Sequence, residues 1–217
     1  MGKPALKLTF ATAEFNRALS AFTAKSKRST RVILEEQGKL VVVSAAHITP
    51  PNKSYSKWNK KGGDTTIKSD IARLFKPSQA KNAVSNLASI HKASRNKRGR
   101  VRKDVERVRA KGVVAYRKSL LARVGRMAAG WTDAAKKLGG KLPQWITRHN
   151  SPGYAKYTQT KSGGTLEITN AAVYSSARSI IEKKMPYILK ARANKMMKRV
   201  NYYLAKNART SGFGYSK

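Results

Sequence analysis

The chain has 217 residues, 40% of them hydrophobic, so it is long enough to bury a sizeable core. Its 47 Lys and Arg stand against 10 Asp and Glu, and the resulting formal net charge of +37 favours polyanionic partners such as DNA, RNA or acidic protein surfaces. The absence of Cys excludes disulfides and thiolate chemistry.

The opening stretch, MGKPALKLTF, is too polar for the apolar part of a secretory signal. No run in the chain approaches the roughly 18 apolar residues of a membrane-spanning helix. We therefore expect a product that is made in a cytoplasm and has no membrane partner.

The first elements show helical spacing. Phe15, Ala18, Leu19 and Phe22 recur at helical intervals after a potential N-cap at Thr12, which predicts a helix over 12–27. The next segment, 30–49, is open between helix and strand. Ser29 or Thr30 would cap a helix there, whereas Val41 to Val43 favour a strand and an internal Gly38 would cost a helix about 1 kcal/mol relative to Ala.

From Asn52 to about Arg100 the composition becomes polar, Lys-rich and interrupted by Gly, as in NKSYSKWNKKGGD. We expect an extended basic, partly flexible insertion over 52–100, with short helices near 78–91, in a single domain that spans 1–217. Tyr55 and Trp58 alternate with lysines in this stretch, a pattern that suits stacking on unpaired bases.

The region after Arg100 carries an apolar stripe. Residues 101, 105, 108, 112, 116, 120, 124 and 127 follow at steps of three or four, which predicts one long helix over 101–127 with a basic opposite face. We interpret the stripe as buried protein–protein surface. The candidate subunit-packing residues are Val105, Val108, Tyr116, Leu120 and Val124.

The remaining elements follow from local signals. The segment TDAAKKL is predicted as a short helix that ends at Gly139–Gly140, and 142–164 as loop or irregular strand. Alternation in GTLEITN predicts a short strand. Ile181, Met185, Ile188 and later apolar residues predict a last helix with Pro186 near its start, followed by a flexible tail over 208–217.

No arrangement of residues indicates catalysis. The ten acids include no pair spaced to share a metal or a water, and His47, His91 and His149 are isolated from one another. Neither a nucleophile elbow nor a P-loop is present. We expect a non-enzymatic protein with no metal and no cofactor.

Basic residues cluster in HKASRNKRGRVRKDVERVR, residues 91–109, which contains nine Lys or Arg and two acids. Residues 91–100 read as a basic connector to the helix that we expect from 101 onward. The candidate polyanion-binding residues are Lys92, Arg95, Lys97, Arg98, Arg100, Arg102 and Lys103. Neutralising six to ten phosphates would weaken binding about a thousandfold or more between 50 and 200 mM salt.

The order of elements resembles the tail-completion, minor tail or head–tail joining proteins of long-tailed double-stranded DNA bacteriophages. The resemblance lies in a helical stretch that stops at AAHITPP, in the block GWTDAAKKLGG, and in GTLEITNAAVYSSARSIIEKK, where a strand, a Tyr and a Glu precede the last helix. The corresponding positions are 46–50, Tyr174 and Glu182. The chain departs from the family in lacking Thr-Gly after Pro50, in its long 52–100 segment and in its extreme charge.

The resemblance implies an α+β fold in which long amphipathic helices pack on a small antiparallel sheet, here with an extended basic loop excursion. It also implies a structural virion protein of the neck or tail that forms a homo-oligomeric ring and contacts other neck and tail proteins and packaged DNA. The alternative is a sequence-independent protein that coats or condenses DNA or RNA. A basic nuclease is a third reading, which cleavage dependent on Asp64 or Asp70 would support.

Overall fold

The structure, a computed structural model, describes residues 6–9, 13–26, 28–52, 57–96, 100–160, 163–172 and 175–210. The chain divides into two compact units rather than the expected single domain. The scaffold unit consists of Met1–Lys57 and Arg126–Lys217, and the inserted unit is Trp58–Gly125. The insertion therefore leaves the scaffold after α-helical residues 30–48 and returns to it at Arg126.

The scaffold unit is mixed α+β, as the sequence predicts. Its elements are β1 (Leu6–Thr9), α1 (Ala13–Ser26), α2 (Thr30–Ile48), α6 (Arg126–Ala129), α7 (Thr132–Lys137), α8 (Gln144–Thr147), β4 (Gly153–Thr160), β5 (Gly163–Asn170) and α9 (Ser175–Thr210). The strands form an antiparallel sheet of order β1-β5-β4. The predicted helix over 12–27, the short helix after Trp131 and the strand in GTLEITN are confirmed, while the proposed cap Thr12 lies outside the described residues.

The segment 30–49 is helical from Thr30 to Ile48, which settles the alternative that the sequence left open. The Ser29 Oγ accepts a hydrogen bond from the backbone N–H of Val32 at the start of α2. Gly38 is buried at its centre, and a Cβ there would lie 2.2 Å from a methyl carbon of Leu166 on β5. The glycine therefore lets α2 approach the sheet closely, which offsets its weak helix propensity.

Helix α2 ends where the sequence changes to Thr-Pro-Pro. The Thr49 backbone N–H and hydroxyl both donate to the carbonyl of Ala45, the hydroxyl at 2.7 Å. The indole N–H of the fully buried Trp131 donates to the same hydroxyl oxygen at 3.0 Å. The helix end is thus tied to the residue that precedes α7, within the core of the scaffold unit.

The last helix differs from its prediction at both ends. It begins at Ser175, so Pro186 lies inside the helix, on an exposed position, and the prediction of Pro186 near the start is wrong. The helix continues to Thr210, which includes the first residues of the predicted tail, and 211–217 lie outside the described residues. The segment 142–164, predicted as loop or irregular strand, contains strand β4, and the short helix α8 in it was not predicted.

The inserted unit is folded, whereas its sequence predicts an extended loop over 52–100. Its elements are α3 (Lys60–Leu74), β2 (Phe75–Pro77), α4 (Leu87–Ala93), β3 (Val108–Ala110) and α5 (Val113–Ala122). Strands β2 and β3 pair in parallel, with Phe75 opposite Val108. One hydrophobic cluster joins these elements, and its buried members are Ile71, Leu74, Phe75, Leu87, Val101, Ala110 and Val113. The apolar residues of 52–100 are few, and they form a core together with residues from Val101 onward.

The long helix predicted over 101–127 is wrong. Val101 makes an isolated antiparallel bridge with Arg95, and residues 108–110 form β3. Gly112 has φ +69°, a left-handed conformation that favours glycine, and helix α5 starts only after it. The β-branched valines at 101, 105 and 108 suit extended backbone, and pairing with β2 wins over the helical spacing.

Candidate polyanion interface

The inserted unit is strongly basic. Its sequence carries nineteen Lys and Arg against four acids. Two of the acids are already engaged with neighbouring side chains: Asp64 pairs with Lys60, and the Asp70 carboxylate lies 4.0 Å from the ring of His91. Most of the positive charge therefore has no counter-charge inside the unit.

Five of the seven candidate polyanion-binding residues are described, and all five are exposed: Lys92, Arg95, Arg100, Arg102 and Lys103. Lys97 and Arg98 lie outside the described residues. Within the described residues, none of the five makes an ion pair with a carboxylate. Lys92 lies in the last turn of α4, and the other four follow it closely in the chain.

Backbone hydrogen bonds join the described residues 94–96 to 100–102 after α4, and we call these two stretches the basic turn. The Asn96 N–H donates to the Arg100 carbonyl at 2.8 Å, and the Arg102 N–H donates to the Ser94 carbonyl at 2.9 Å. Successive side chains in such a ladder point to opposite faces. Because Val101 is buried, its neighbours Arg100 and Arg102 project from the outward face together.

A buried histidine contacts the basic turn through Arg95. His91 is 3% exposed, and its Nε2 lies 3.2 Å from the Arg95 Nη2. An arginine only donates hydrogen bonds, so His91 Nε2 is the acceptor and the ring proton must sit on Nδ1. Nδ1 lies 3.1 Å from the hydroxyl oxygen of Tyr116 on α5, to which it donates.

The environment of this histidine keeps it neutral. Burial lowers the pKa of His91, the positive charge of Arg95 lowers it further, and Asp70 acts in the opposite direction. Protonation would place a donor on Nε2 facing Arg95 and would end their hydrogen bond. The position of Arg95 therefore depends on the neutral state of His91. Burial also raises the pKa of Tyr116, so its hydroxyl stays protonated.

The two stacking candidates do not form a pair of exposed aromatic rings for bases in the described part of the chain. Trp58 is half-buried, just before the Asn59 N-cap of α3, and Tyr55 lies outside the described residues. Stacking by this pair stays a prediction.

The five candidate subunit-packing residues serve the chain's own core instead. Val105, Val108, Tyr116 and Leu120 pack against the hydrophobic cluster of the inserted unit, and Val124 is 6% exposed. The expectation that this stripe is a subunit contact is therefore corrected. The stripe is removed from solvent because it packs onto α3, β2 and α4. The helical spacing alone did not indicate this packing.

Exposed apolar side chains occur on α9 rather than on that stripe. Ile180 is 42% exposed, Tyr187 68% and Tyr202 64%. At 3.6 residues per turn these three residues fall within about 60° of one another around the helix axis, and we call them the α9 stripe. The sequence prediction placed Ile181, Met185 and Ile188 on one side of this helix and did not identify the outward stripe.

The positions that carry the family resemblance lie mainly at the end of α2. Residues 46–49 are buried there, and Pro50 follows the helix end. Glu182 on α9 is exposed and pairs with Arg178 at 2.7 Å, whereas Tyr174 lies outside the described residues.

No group of three or more His, Cys, Asp or Glu arranged to hold a metal ion occurs in the described residues. Nor does any helix in that part of the chain combine the length and apolar composition needed to cross a bilayer. Comparisons with protein-family models, with curated proteins and with solved structures find no match to this chain.

Proposed function

We propose that the chain is a non-enzymatic structural protein of a bacteriophage neck or tail, made in the host cytoplasm and incorporated into the virion. In this proposal it completes the tail or joins head to tail as one subunit of a homo-oligomeric ring. Its further partners are other neck and tail proteins and packaged DNA.

The scaffold unit supports this proposal by its architecture. Helix α2 stops at Thr49–Pro50, an antiparallel sheet follows in the chain, and β5 leads into the terminal helix α9. These are the features that the resemblance to tail-completion proteins implies. The chain departs from the family in its unusually long segment after Pro51, and the inserted unit occupies that position.

The observation that carries the ring proposal is the α9 stripe. The three side chains lie about 10 and 22 Å apart along one side of α9, which offers a second copy of the chain a row of apolar contacts. Copies that each carry +37 repel one another at low salt, so their association requires screening of the charge. Raised salt should therefore strengthen ring formation, whereas it should weaken binding to nucleic acid.

Sedimentation velocity at a series of KCl concentrations tests this proposal. We expect the wild-type chain to assemble as salt rises, and Ile180→Lys with Tyr202→Lys to stay monomeric. Val32→Lys with Val114→Lys is the matched control, because it adds the same charge at exposed apolar positions on other helices. A wild-type chain that is monomeric at every salt concentration, or a control that also prevents assembly, would count against the ring.

The virion assignment has a separate test. The gene should lie between portal or capsid genes and tail-tube genes, and the protein should be detected by mass spectrometry in purified particles. A gene outside any such cluster, together with particles that lack the protein, would contradict the assignment.

A second candidate function is sequence-independent binding of DNA or RNA, with coating or condensation of the polymer. The basic turn favours it, because Arg100 and Arg102 project together from a backbone ladder held in place by the core. Exposed cations without carboxylate partners on a fixed backbone suit phosphate contacts, which do not depend on base sequence. The salt dependence developed in the Discussion tests this function.

A further inference from the structure

A cleft of about 320 Å³ lies between α2 and α9 in the scaffold unit. Its lining consists of Ser44 from α2 and Tyr187, Ile188, Ala191 and Arg192 from α9. The volume corresponds to that of roughly ten water molecules at about 30 Å³ each, enough for a small organic group.

Among the described residues that line the cleft, Arg192 is the only one with a charged side chain. Its Nη2 donates to the Oγ of Ser44 at 3.2 Å, and that hydroxyl donates its own proton to the carbonyl of Leu40 at 2.8 Å. The Nε of Arg192 is buried and has no hydrogen-bond partner among the described residues. The guanidinium thus has one neutral acceptor and an unused donor.

This arginine also has no counter-charge among the described residues. None of the ion pairs within the described residues includes it, and burial alone lowers its pKa from the ordinary value. A partly desolvated cation with an unpaired N–H is destabilising unless an anion compensates it. A chain with ten acids and 47 bases has few anions of its own to provide, so an anion that compensates Arg192 is more readily supplied by another molecule.

We propose that the Ser44–Arg192 cleft binds a carboxylate carried on a short apolar stem. A carboxylate matches the planar guanidinium and needs few donors, while the ring of Tyr187 and the side chains of Ile188 and Ala191 suit an aliphatic stem. A phosphate group has more acceptor oxygens than one guanidinium can satisfy, and the remaining lining is largely apolar. The carboxylate belongs either to an acidic side chain of another protein chain or to a free small acid.

This inference goes beyond the proposed function and does not depend on it. It rests on the unpaired arginine and the cleft, whereas the ring proposal rests on the α9 stripe. Tyr187 belongs to both, but Ile180→Lys with Tyr202→Lys leaves every described lining side chain of the cleft unchanged. Loss of assembly would leave carboxylate binding by the isolated chain unchanged.

Nuclear magnetic resonance on the full chain tests the site through the Nε–H signal of Arg192, which is assigned by its disappearance in Arg192→Lys. Because this N–H is buried, its exchange with water should be slow enough to observe. We expect sodium butyrate to shift the signal saturably, and sodium chloride or sodium phosphate at equal ionic strength to produce no saturable shift. A shift that grows linearly, or that chloride reproduces, would overturn the proposal, and tighter binding of phosphate would overturn the carboxylate assignment.

A second variant keeps the test independent of any effect of Arg192 on folding. Ala191→Phe fills the cleft from an exposed helix position and should weaken butyrate binding at least tenfold. Lys195→Met removes one charge from the same helix outside the cleft lining and should change the affinity less than twofold. Wild-type affinity in Ala191→Phe would place the bound butyrate elsewhere and refute the site.

The source of the carboxylate is identified by a second titration with the peptide acetyl-Leu-Glu-Leu-amide. Binding at least tenfold tighter than that of butyrate supports a site for an acidic side chain of another protein. Peptide binding no tighter than that of butyrate, with butyrate still saturable, supports a site for a free small acid. Failure of both probes to saturate the signal refutes the site.

Discussion

Replacing Arg100 and Arg102 with Ala gives the sharpest test of the basic turn. Both side chains project from its outward face, and neither is engaged by a carboxylate within the described residues, so their loss should leave the fold intact. In duplex DNA each phosphate contact contributes about 0.9 to the slope of log affinity against log salt. The double variant should therefore have a slope shallower by about 1.8.

The absolute values follow from the exposed residues. If Lys92, Arg95, Arg100, Arg102 and Lys103 each neutralise one phosphate, the wild-type slope is about −4.5 and affinity falls about 500-fold between 50 and 200 mM salt. For the variant the slope is about −2.7 and the fall is about 40-fold. Contacts by Lys97 and Arg98 would steepen both slopes equally and leave the difference unchanged.

Fluorescence anisotropy with a labelled 30-base-pair duplex, titrated at several KCl concentrations, measures both slopes. Lys136→Ala with Lys137→Ala is the matched control, because it removes two exposed cations from α7 in the scaffold unit. A second duplex of shuffled sequence should bind within about twofold, as phosphate contacts require. An unchanged slope in the turn variant, or an equal reduction in the control, would refute the assignment of binding to the basic turn.

Three further predictions concern stability. The unfolded chain protonates His91 at its ordinary pKa of 6.5 and the folded chain only at lower pH, so stability is complete above that value and is lost as pH falls. Urea unfolding from about pH 7.5 to about pH 5 should show a smaller loss for His91→Gln than for the wild type. Gly38→Ala should lower the free energy of unfolding by roughly 1–3 kcal/mol in the same assay, because its methyl group overlaps Leu166. Trp131→Phe should cost roughly 1–3 kcal/mol, since it removes the buried donor to Thr49 and leaves a cavity.

Each of these predictions has its own control and its own contradiction. An identical pH dependence in His91→Gln would show that other groups account for the acid sensitivity, among them His47, whose pKa is also lowered by burial. Gly140→Ala, where the added carbon would lie at least 3.3 Å from its neighbours, should cost less than Gly38→Ala. If Gly38→Ala left the free energy of unfolding unchanged, α2 and β5 would have to separate easily. If Trp131→Phe left the free energy of unfolding unchanged, the Thr49 hydroxyl would not need the hydrogen bond from the indole.

Local patterns were sufficient for the elements whose signals lie within one segment. The spacing of Phe15, Leu19 and Phe22 predicts α1, and the alternation in GTLEITN predicts β5, because each depends on a few neighbouring residues. The same holds for the C-terminal glycine of α7. The exposed basic residues were also foreseeable, since a run of Arg and Lys with few acids nearby has to remain in contact with solvent.

Pairing between distant segments decided the rest. The parallel contact of Phe75 with Val108 turns a sparse basic segment into a folded unit, and it converts a helical stripe into strand and core. Gly38 is unfavourable in an isolated helix and becomes necessary only when Leu166 lies against it. The desolvated Arg192 and the neutral His91 likewise owe their chemistry to partners far away in the chain. Burial is a property of packed neighbours, so neither the spacing nor the charge of a residue reveals it in advance.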